Sequence, residues 1–600
     1  MLALVVATLV FCVYAWTLSP AVGWLDSPEF VGASIELGVA HSPGHPLVTQ
    51  LGNLGASSSM GDVVFGVNIT GAVSGGLAAG AMALLCRELI SICVPNWPNP
   101  HRSILSAAGG LLFAFTAVAW EQGTLAEVYS LQSFLLAAAT ASTLHWHRKS
   151  DHRYLFFSSF FIGLALANHN LTAAAFFIPA AIFVLARKDR PSFAVSTKTA
   201  LFGIAGLLPL LYLPIRSLSS PLLNWGAPHT LDRFWWTVSV QAFLQATSER
   251  VSSIAQDSTL IVVSIFEHAT FPLTVLALLA VVAAVKGFLP RSPIFFLFGG
   301  LLTSILARIW TGFDPETPDH HAYLLPGIQC TIAIGLVALA AFSQWLAERP
   351  NQHAQLRLPF FTSVLGVLLV IAQLAMNVGP RTERNFASED VANWQLESLP
   401  QDSMVMLAYF QTSFRLASLV LAEGLRPDVS FLDRSLLTYP GAAENAKKRS
   451  PDLVDLIDAP LRAGFPTPTG KLVEIAQNRP VFFELHPNLE RSDFSQLAPS
   501  GAWAEFAERW NENERQAQEQ LHTESLTTLN TRIGSGINRT TRQEDLALFW
   551  YRVTALDFYC MIGRKHAAQK ELAAAFSIAP GDETLAQMAR DCSLVLPTRK

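Results

Sequence analysis

Chemistry-bearing residues gather early in the chain. The stretch "LDSPEFVGASIELGVAHSPGHPLVTQLG" (25–52) carries Asp26, Glu29, Glu36, His41 and His45, with no lysine or arginine, directly after an apolar first segment. Gly44 and its flanking prolines suit a tight, rigid turn. Further polar residues recur between apolar runs: Trp120, Glu121, Glu127 and Tyr129, then Asn168, His169 and Asn170, then Arg216 leading into "PLLNWGAPHTLDRFWW" with Asn224 and Trp225. A last group, "DPETPDHH", brings Asp314, Glu316, Asp319, His320 and His321, with Tyr323 just beyond. Carboxylates beside a membrane together with an arginine suit group transfer from a lipid-phosphate donor. Arginine binds the departing phosphate well. A carboxylate orients or deprotonates an acceptor hydroxyl as it attacks an anomeric carbon, and nearby negative charge stabilises an oxocarbenium-like transition state.

Blander readings stand beside these. Glu36 and Glu316 also suit surface decoration, and His41 and His45 could simply hydrogen-bond within their turn. Glu127 and Tyr129 could anchor a helix at the interface, where tyrosine is favoured. His169 could cap two short helices. "DPETPDHH" offers hard ligands for a divalent cation, but its two prolines favour an acidic turn. No metal or other cofactor is expected.

Such residues need a scaffold. Of 600 residues, 51% are hydrophobic and only 14% charged, against about a quarter charged in soluble proteins. Long apolar runs predict a mainly α, polytopic helical membrane protein with about eleven spans, at 1–18, 63–94, 103–120, 124–146, 153–168, 170–187, 198–215, 270–286, 293–310, 322–345 and 359–377. The first lacks a basic leader and a cleavage site and reads as a retained helix. With the N-terminus cytoplasmic, the inner loops hold twelve basic residues and the outer loops three, Arg216, Arg233 and Arg250. That bias sets the orientation. It places all of the polar groups above on the outer face, where ionisable residues at membrane depth are functional candidates by default. The net charge of -5 points to no nucleic-acid partner.

From residue 381 the composition turns polar. "SMVMLAYF", "SFRLASLVLAEG" and "PDVSFLDR" predict strand, helix and strand, and "RPVFFEL" a further strand, together a soluble α/β domain over 381–540. Residues 541–600 read as a helical cap with tetratricopeptide-like spacing at Gly563, Ala567, Ala574 and Pro580, one unit only. Cys560 and Cys592 lie in this tail and could pair; no cysteine spacing matches a metal site.

The same residues carry a family likeness. "GWLDSPEFVGASIELGVAHSPGHPLVTQLG", "WEQGTLAEVYSL", "GLALANHNLT", "YLPIRSLSSPLLNWGAP" and "YLLP" resemble, in order, the motifs of the transmembrane-protein-260-like family, glycosyltransferase family 117. The likeness covers most of 1–380, and "LRPDVSFLDRSLL" extends it into the tail. It implies a GT-C glycosyltransferase fold, a polyprenyl-phosphate sugar donor, catalysis outside the cytoplasm, and activity like protein O-mannosyltransfer. It implies that Asp26 is the base or acceptor-orienting acid and Glu29 its neighbour. It further implies that His41, Glu127, Tyr129, His169 and Arg216 occupy motif positions. The usual glycine before the acid is Leu25 and the usual tyrosine of the loop is His45, which leaves every charge in place. The tail shows "AYFQTS" where an acidic turn is common among relatives.

The reading is therefore an inverting glycosyltransferase, with catalytic Asp26 and Glu29. Donor and acceptor contacts are expected from His41, His45, Glu127, Tyr129, His169, Arg216, Asn224, Trp225, Asp319 and Tyr323. Its partners are a polyprenyl-phosphate sugar, an exported protein or a lipid-linked glycan as acceptor, and the bilayer. The expected location is a bacterial inner membrane, with the site and the tail periplasmic. Transporters place polar groups at the midplane of repeated halves; polar groups on one face and no visible repeat argue against a transporter or flippase. A non-catalytic scaffold would have no need of Asp26.

Overall fold

The computed structural model describes residues 1–59, 61–243, 254–348, 352–381, 386–458, 469–485, 496–535 and 542–597. The chain divides into two compact units. The first comprises Met1–Ser19, Val39–Leu218 and Pro228–Thr382; the second comprises Pro20–Gly38, Ser219–Ala227 and Glu383–Lys600.

The first unit is helical. Helices occupy Leu2–Trp16, Val63–Cys93, Asn99–Ala114, Tyr129–Lys149, Arg153–Asn168, Asn170–Leu185, Phe193–Gly206, Phe271–Val285, Arg291–Thr311, Leu325–Ala347 and Gln352–Arg381, each on one of the apolar runs. Among the described residues, five helices are long and apolar enough to cross a membrane, or six if the bent pair Ile254–His268 and Phe271–Val285 is one span. The protein is thus a multi-pass membrane protein. Small residues let the helices close up. A Cβ on Gly76 or Gly80 of the long helix Val63–Cys93 would lie 2.7 Å from the Ala7 or Ala3 carbonyl oxygen of the first helix, the close approach that glycines four apart allow in membranes.

Several boundaries differ from expectation. The helix expected over 103–120 ends at Ala114, and Thr116 then caps the short helix Ala117–Gln122 by accepting from the Ala119 N–H, as N-terminal threonines do. The next helix begins only at Tyr129, so Glu127 is buried in the connecting loop. The first loop contains helices Ser27–Glu36 and Pro46–Ser58, and helices Leu231–Val238 and Ile254–His268 lie between Ser217 and Phe271.

The second unit is built on a five-stranded sheet: β1 (Met404–Leu407), β2 (Ser430–Asp433), β3 (Val481–Phe483), β4 (Leu497–Ser500) and β5 (Trp503–Phe506), in the order β2-β1-β3-β5-β4. The first three strands are parallel, with Met404 paired to Ser430 and to Val481; β3–β5 and β5–β4 are antiparallel. The run Met404–Leu407 is wholly buried, as a central parallel strand must be. Helix Phe410–Glu423 connects β1 to β2 and ends at Gly424, in the left-handed region at φ 66°, where glycine is favoured. Against this helix packs Ser27–Glu36 from the first loop: a Cβ on Gly32 would meet Ser418 Cα at 3.5 Å, and the Arg415 guanidinium lies 5.2 Å over the Trp24 ring. Helices Arg542–Met561, Lys565–Ile578 and Glu583–Asp591 close the unit, and a disulfide joins Cys560 to Cys592.

Candidate active site

In the first unit, the turn "HSPGHP" brings two histidines together. The Gly44 N–H donates to the His41 carbonyl at 2.7 Å, and His45, at φ 42°, begins the helix Pro46–Ser58. Gly44 has φ 96°, and a Cβ there would meet Leu213 at 2.7 Å. Only glycine satisfies both conditions. Leu213 and Arg216 lie three apart on Tyr212–Ser217, hence on one side of that helix, so the packing of Leu213 brings the half-buried Arg216 helix onto the histidine turn.

The rings of His41 and His45 are 4.8 Å apart, and His45 is 6.0 Å from His169. His45 Nδ1 is 2.7 Å from the Asn168 carbonyl oxygen, a bond that holds the ring in place. Asn168 is itself fixed, its amide donating to the Val128 carbonyl and to Gln132 Oε1. Gln132 in turn donates to the His169 carbonyl and to Thr172. Tyr129 lies 5.5 Å from His169 and 5.6 Å from Tyr323, and Tyr323 meets His169 edge to face at 4.8 Å. Arg308, buried near the end of Arg291–Thr311, sets its guanidinium 4.7 Å over the Tyr323 ring. Five separate stretches thus converge on one cluster of imidazoles, phenols and a guanidinium. The guanidinium and the phenol hydroxyls are donors suited to an anion.

His41, His45, Tyr129, His169 and Tyr323 are therefore brought together, with Glu127 buried two residues before Tyr129. Asp319 lies in the same unit, accepting from Gln122 at 3.3 Å and, through its carbonyl, from the Tyr323 N–H. "DPETPDHH" closes on itself: Asp314 accepts from the Glu316 N–H and the Thr317 hydroxyl, while its own N–H donates to His320 Nδ1. Among the described residues, no group of three or more His, Cys, Asp or Glu side chains is placed to hold a metal ion.

Asp26, Glu29, Asn224 and Trp225 belong to the second unit. Asp26 stands at the N-terminus of Ser27–Glu36, and Glu29 is fully buried in its first turn. Two residues escaped the sequence reading of the site. Arg308 is a lone arginine inside an apolar helix, and that oddity was itself the available signal. Glu36 grips the chain at 219–227: its two carboxylate oxygens accept from the Leu222 and Leu223 N–H groups at 2.8 and 2.6 Å. Asn224 and Trp225 follow directly.

The chain shares the fold of ArnT from Cupriavidus metallidurans, solved bound to undecaprenyl phosphate. The TM-score is 0.52 at 13% identity, over 82% of this chain and 94% of that one, and the shared fold is the GT-C fold. Residues 26–193 match the Protein O-mannosyl-transferase TMEM260 N-terminal domain. The chain is 27% identical over 445 residues to Protein O-mannosyl-transferase TMEM260 of Mus musculus, covering 72% of this chain and 62% of that protein. It is 21% identical over 481 residues to the tmem260 protein of Dictyostelium discoideum, covering 71% and 56%. It thus spans about three fifths of the length of these relatives. The resemblance carried by the first-loop motifs is to this family.

Proposed function

We propose that the protein transfers a sugar, mannose or a close relative, from a polyprenyl-phosphate donor to a hydroxyl of an exported protein on the extracytoplasmic side of a membrane. The observation that carries this reading is the convergence of His41, His45, His169, Tyr129, Tyr323 and Arg308 within the helical unit, in a chain whose residues 26–193 match the O-mannosyltransferase domain. A buried guanidinium flanked by phenols and imidazoles holds a phosphate and stabilises the charge that grows on it as the glycosidic bond breaks. In the reaction the acceptor oxygen bonds to the anomeric carbon, and the bond from that carbon to the phosphate oxygen breaks with inversion. The polyprenyl phosphate leaves, and the acceptor proton passes to a carboxylate. On the family likeness of its motif, that carboxylate is Asp26, with Glu29 its buried neighbour. Arg216, Glu127 and Asp319 complete the proposed donor and acceptor contacts, and the reaction needs no cofactor. The disulfide between Cys560 and Cys592 suits an oxidising compartment, such as the periplasm of a bacterial cell.

The test is transfer of labelled mannose from polyprenyl-phosphate mannose in membranes holding the wild type or Asp26→Asn, a substitution that keeps shape and removes charge. Label is expected in protein with the wild type and at least a hundredfold less with the variant. Label in lipid-linked glycan would redirect the acceptor assignment, and equal labelling by the variant would remove Asp26 from the chemistry.

A further inference from the structure

The second unit contains a cavity of about 150 Å³. It opens at the carboxyl ends of β1 and β2, between Leu407 and Asp433, and is closed by the segment 222–226, Tyr439 and Asn445. The crevice beyond the carboxyl ends of parallel strands is where open α/β sheets bind ligands. The volume is smaller than the ~300–1,000 Å³ of sites for drug-sized molecules, so it admits one ring.

Its walls have a definite chemistry. The rings of Trp225 and Tyr439 lie 4.5 Å apart at 39°, with Phe414 6.2 Å from Trp225, an aromatic corner with a flat apolar surface. Opposite it stands Asp433. Its Oδ1 accepts from the Ser435 hydroxyl at 2.6 Å and the Leu436 N–H at 3.1 Å, and the Ser413 hydroxyl also hydrogen-bonds the buried carboxylate. An ionised carboxylate offers about four acceptor sites, so these three donors leave one for a ligand hydroxyl. Asn445 is held rigid by donating to the Pro221 carbonyl at 2.9 Å. Glu36 fixes Leu222 and Leu223, and so the position of Trp225.

From these features we propose that this cavity binds one neutral saccharide ring, stacked on Trp225 and Tyr439 with its hydroxyls donating to Asp433. An aromatic face meets the apolar C–H face of a sugar, and a carboxylate is an acceptor for polyol hydroxyls. An anion is disfavoured, because the buried acid at the wall is Asp433, whose charge already opposes ionisation of Glu484. A cationic ligand would have to pass the exposed Arg449 at the rim. The site stands independently of the transfer reading. If that reading holds, the ring belongs to a glycan on the acceptor.

Methyl α-D-mannopyranoside titrated into the full chain in lipid nanodiscs, followed by saturation-transfer NMR, tests it. Saturable millimolar binding is expected, weakened at least fivefold by Asp433→Asn and by Trp225→Phe, and unchanged by Arg308→Ala, which lies in the other unit. In the wild type, where folding of a variant is not at issue, the sugar is expected to slow amide exchange at 222–226 and 431–439. The proposal is overturned if mannoside, glucoside and galactoside all fail to saturate. It is also overturned if Asp433→Asn binds as well as wild type, if exchange slows elsewhere only, or if Arg308→Ala alone abolishes binding. Displacement by spermidine but not by sugar would make it a cation site and overturn it equally.

Discussion

The two units answer opposite electrostatic problems with overlapping residue types. In the helical unit, aromatic rings and three imidazoles surround a guanidinium, a charge suited to an anion. In the sheet unit, aromatic rings surround Asp433, with Glu484 behind it, so the cavity refuses negative charge and accepts hydroxyls. Tyrosine contributes to both, Tyr323 beside Arg308 and Tyr439 beside Trp225. The aromatic side chain therefore says little about the ligand; the buried ionisable group beside it decides.

The largest effect expected from this contrast is on Arg308. Arg308→Ala should lower mannose transfer by about 10²–10³-fold, the usual loss when one preorganised charge stabiliser is removed. Arg308→Lys should recover only part of it, since a point charge lacks the planar fork. Transfer by Arg308→Ala within threefold of wild type would break the anion assignment.

Glu484 gives the next effect. Its Oε2 accepts from the Ala408 and Tyr409 N–H groups at 2.8 and 2.9 Å, yet burial pushes its carboxyl up to about 7 from 4.5. The folded state therefore holds the proton more tightly than the unfolded state. The stabilisation is complete below pH 4.5 and fades as pH rises to 7, by roughly 3 kcal/mol at most for such a shift. Amide exchange of β1 and β3 should accelerate from pH 5 to pH 8 after correction for intrinsic rates. Glu484→Gln keeps the accepting oxygen and should flatten that dependence.

The smallest effect belongs to Glu36. Glu36→Gln removes one of two charged acceptors for the Leu222 and Leu223 amides, at a cost of about 2 kcal/mol. Exchange at those two amides should quicken while the histidine cluster is undisturbed. If mannoside binding weakens in parallel, the clamp and the cavity are coupled; binding at wild-type strength would separate them.

Much of this was legible in the sequence because it depends on local pattern. Each apolar run became a helix, and β1, β2, β3 and the helix at Phe410–Glu423 fall where the strand and helix patterns placed them. Cys560 and Cys592 pair as their placement allowed. The histidine turn, Tyr129 and Tyr323 were recognisable as polar residues at the ends of apolar runs. What escaped depends on contacts far along the chain. The hairpin of β4 and β5 contains Ala498, Pro499, Gly501 and Ala502, residues with little strand character, and forms because β3 offers an open edge. Glu36 looked like an outer-loop acid because its partners lie 186 and 187 residues away. The first loop looked like a membrane-side appendage, whereas Pro20–Gly38 belongs to the sheet unit.

That last assignment bears on synthesis. The sheet unit draws on residues 20–38, 219–227 and 383–600, so its first piece leaves the ribosome long before its last. At 5–20 residues per second, the helix Ser27–Glu36 waits roughly 20–70 s for the helix Phe410–Glu423 that covers it. Through that interval Phe30, Val31 and Ala33, buried in the finished protein, have no permanent neighbour. The nascent chain is thus a natural client for a chaperone or for the lipid headgroups, and any early termination leaves an apolar helix stranded at the membrane surface.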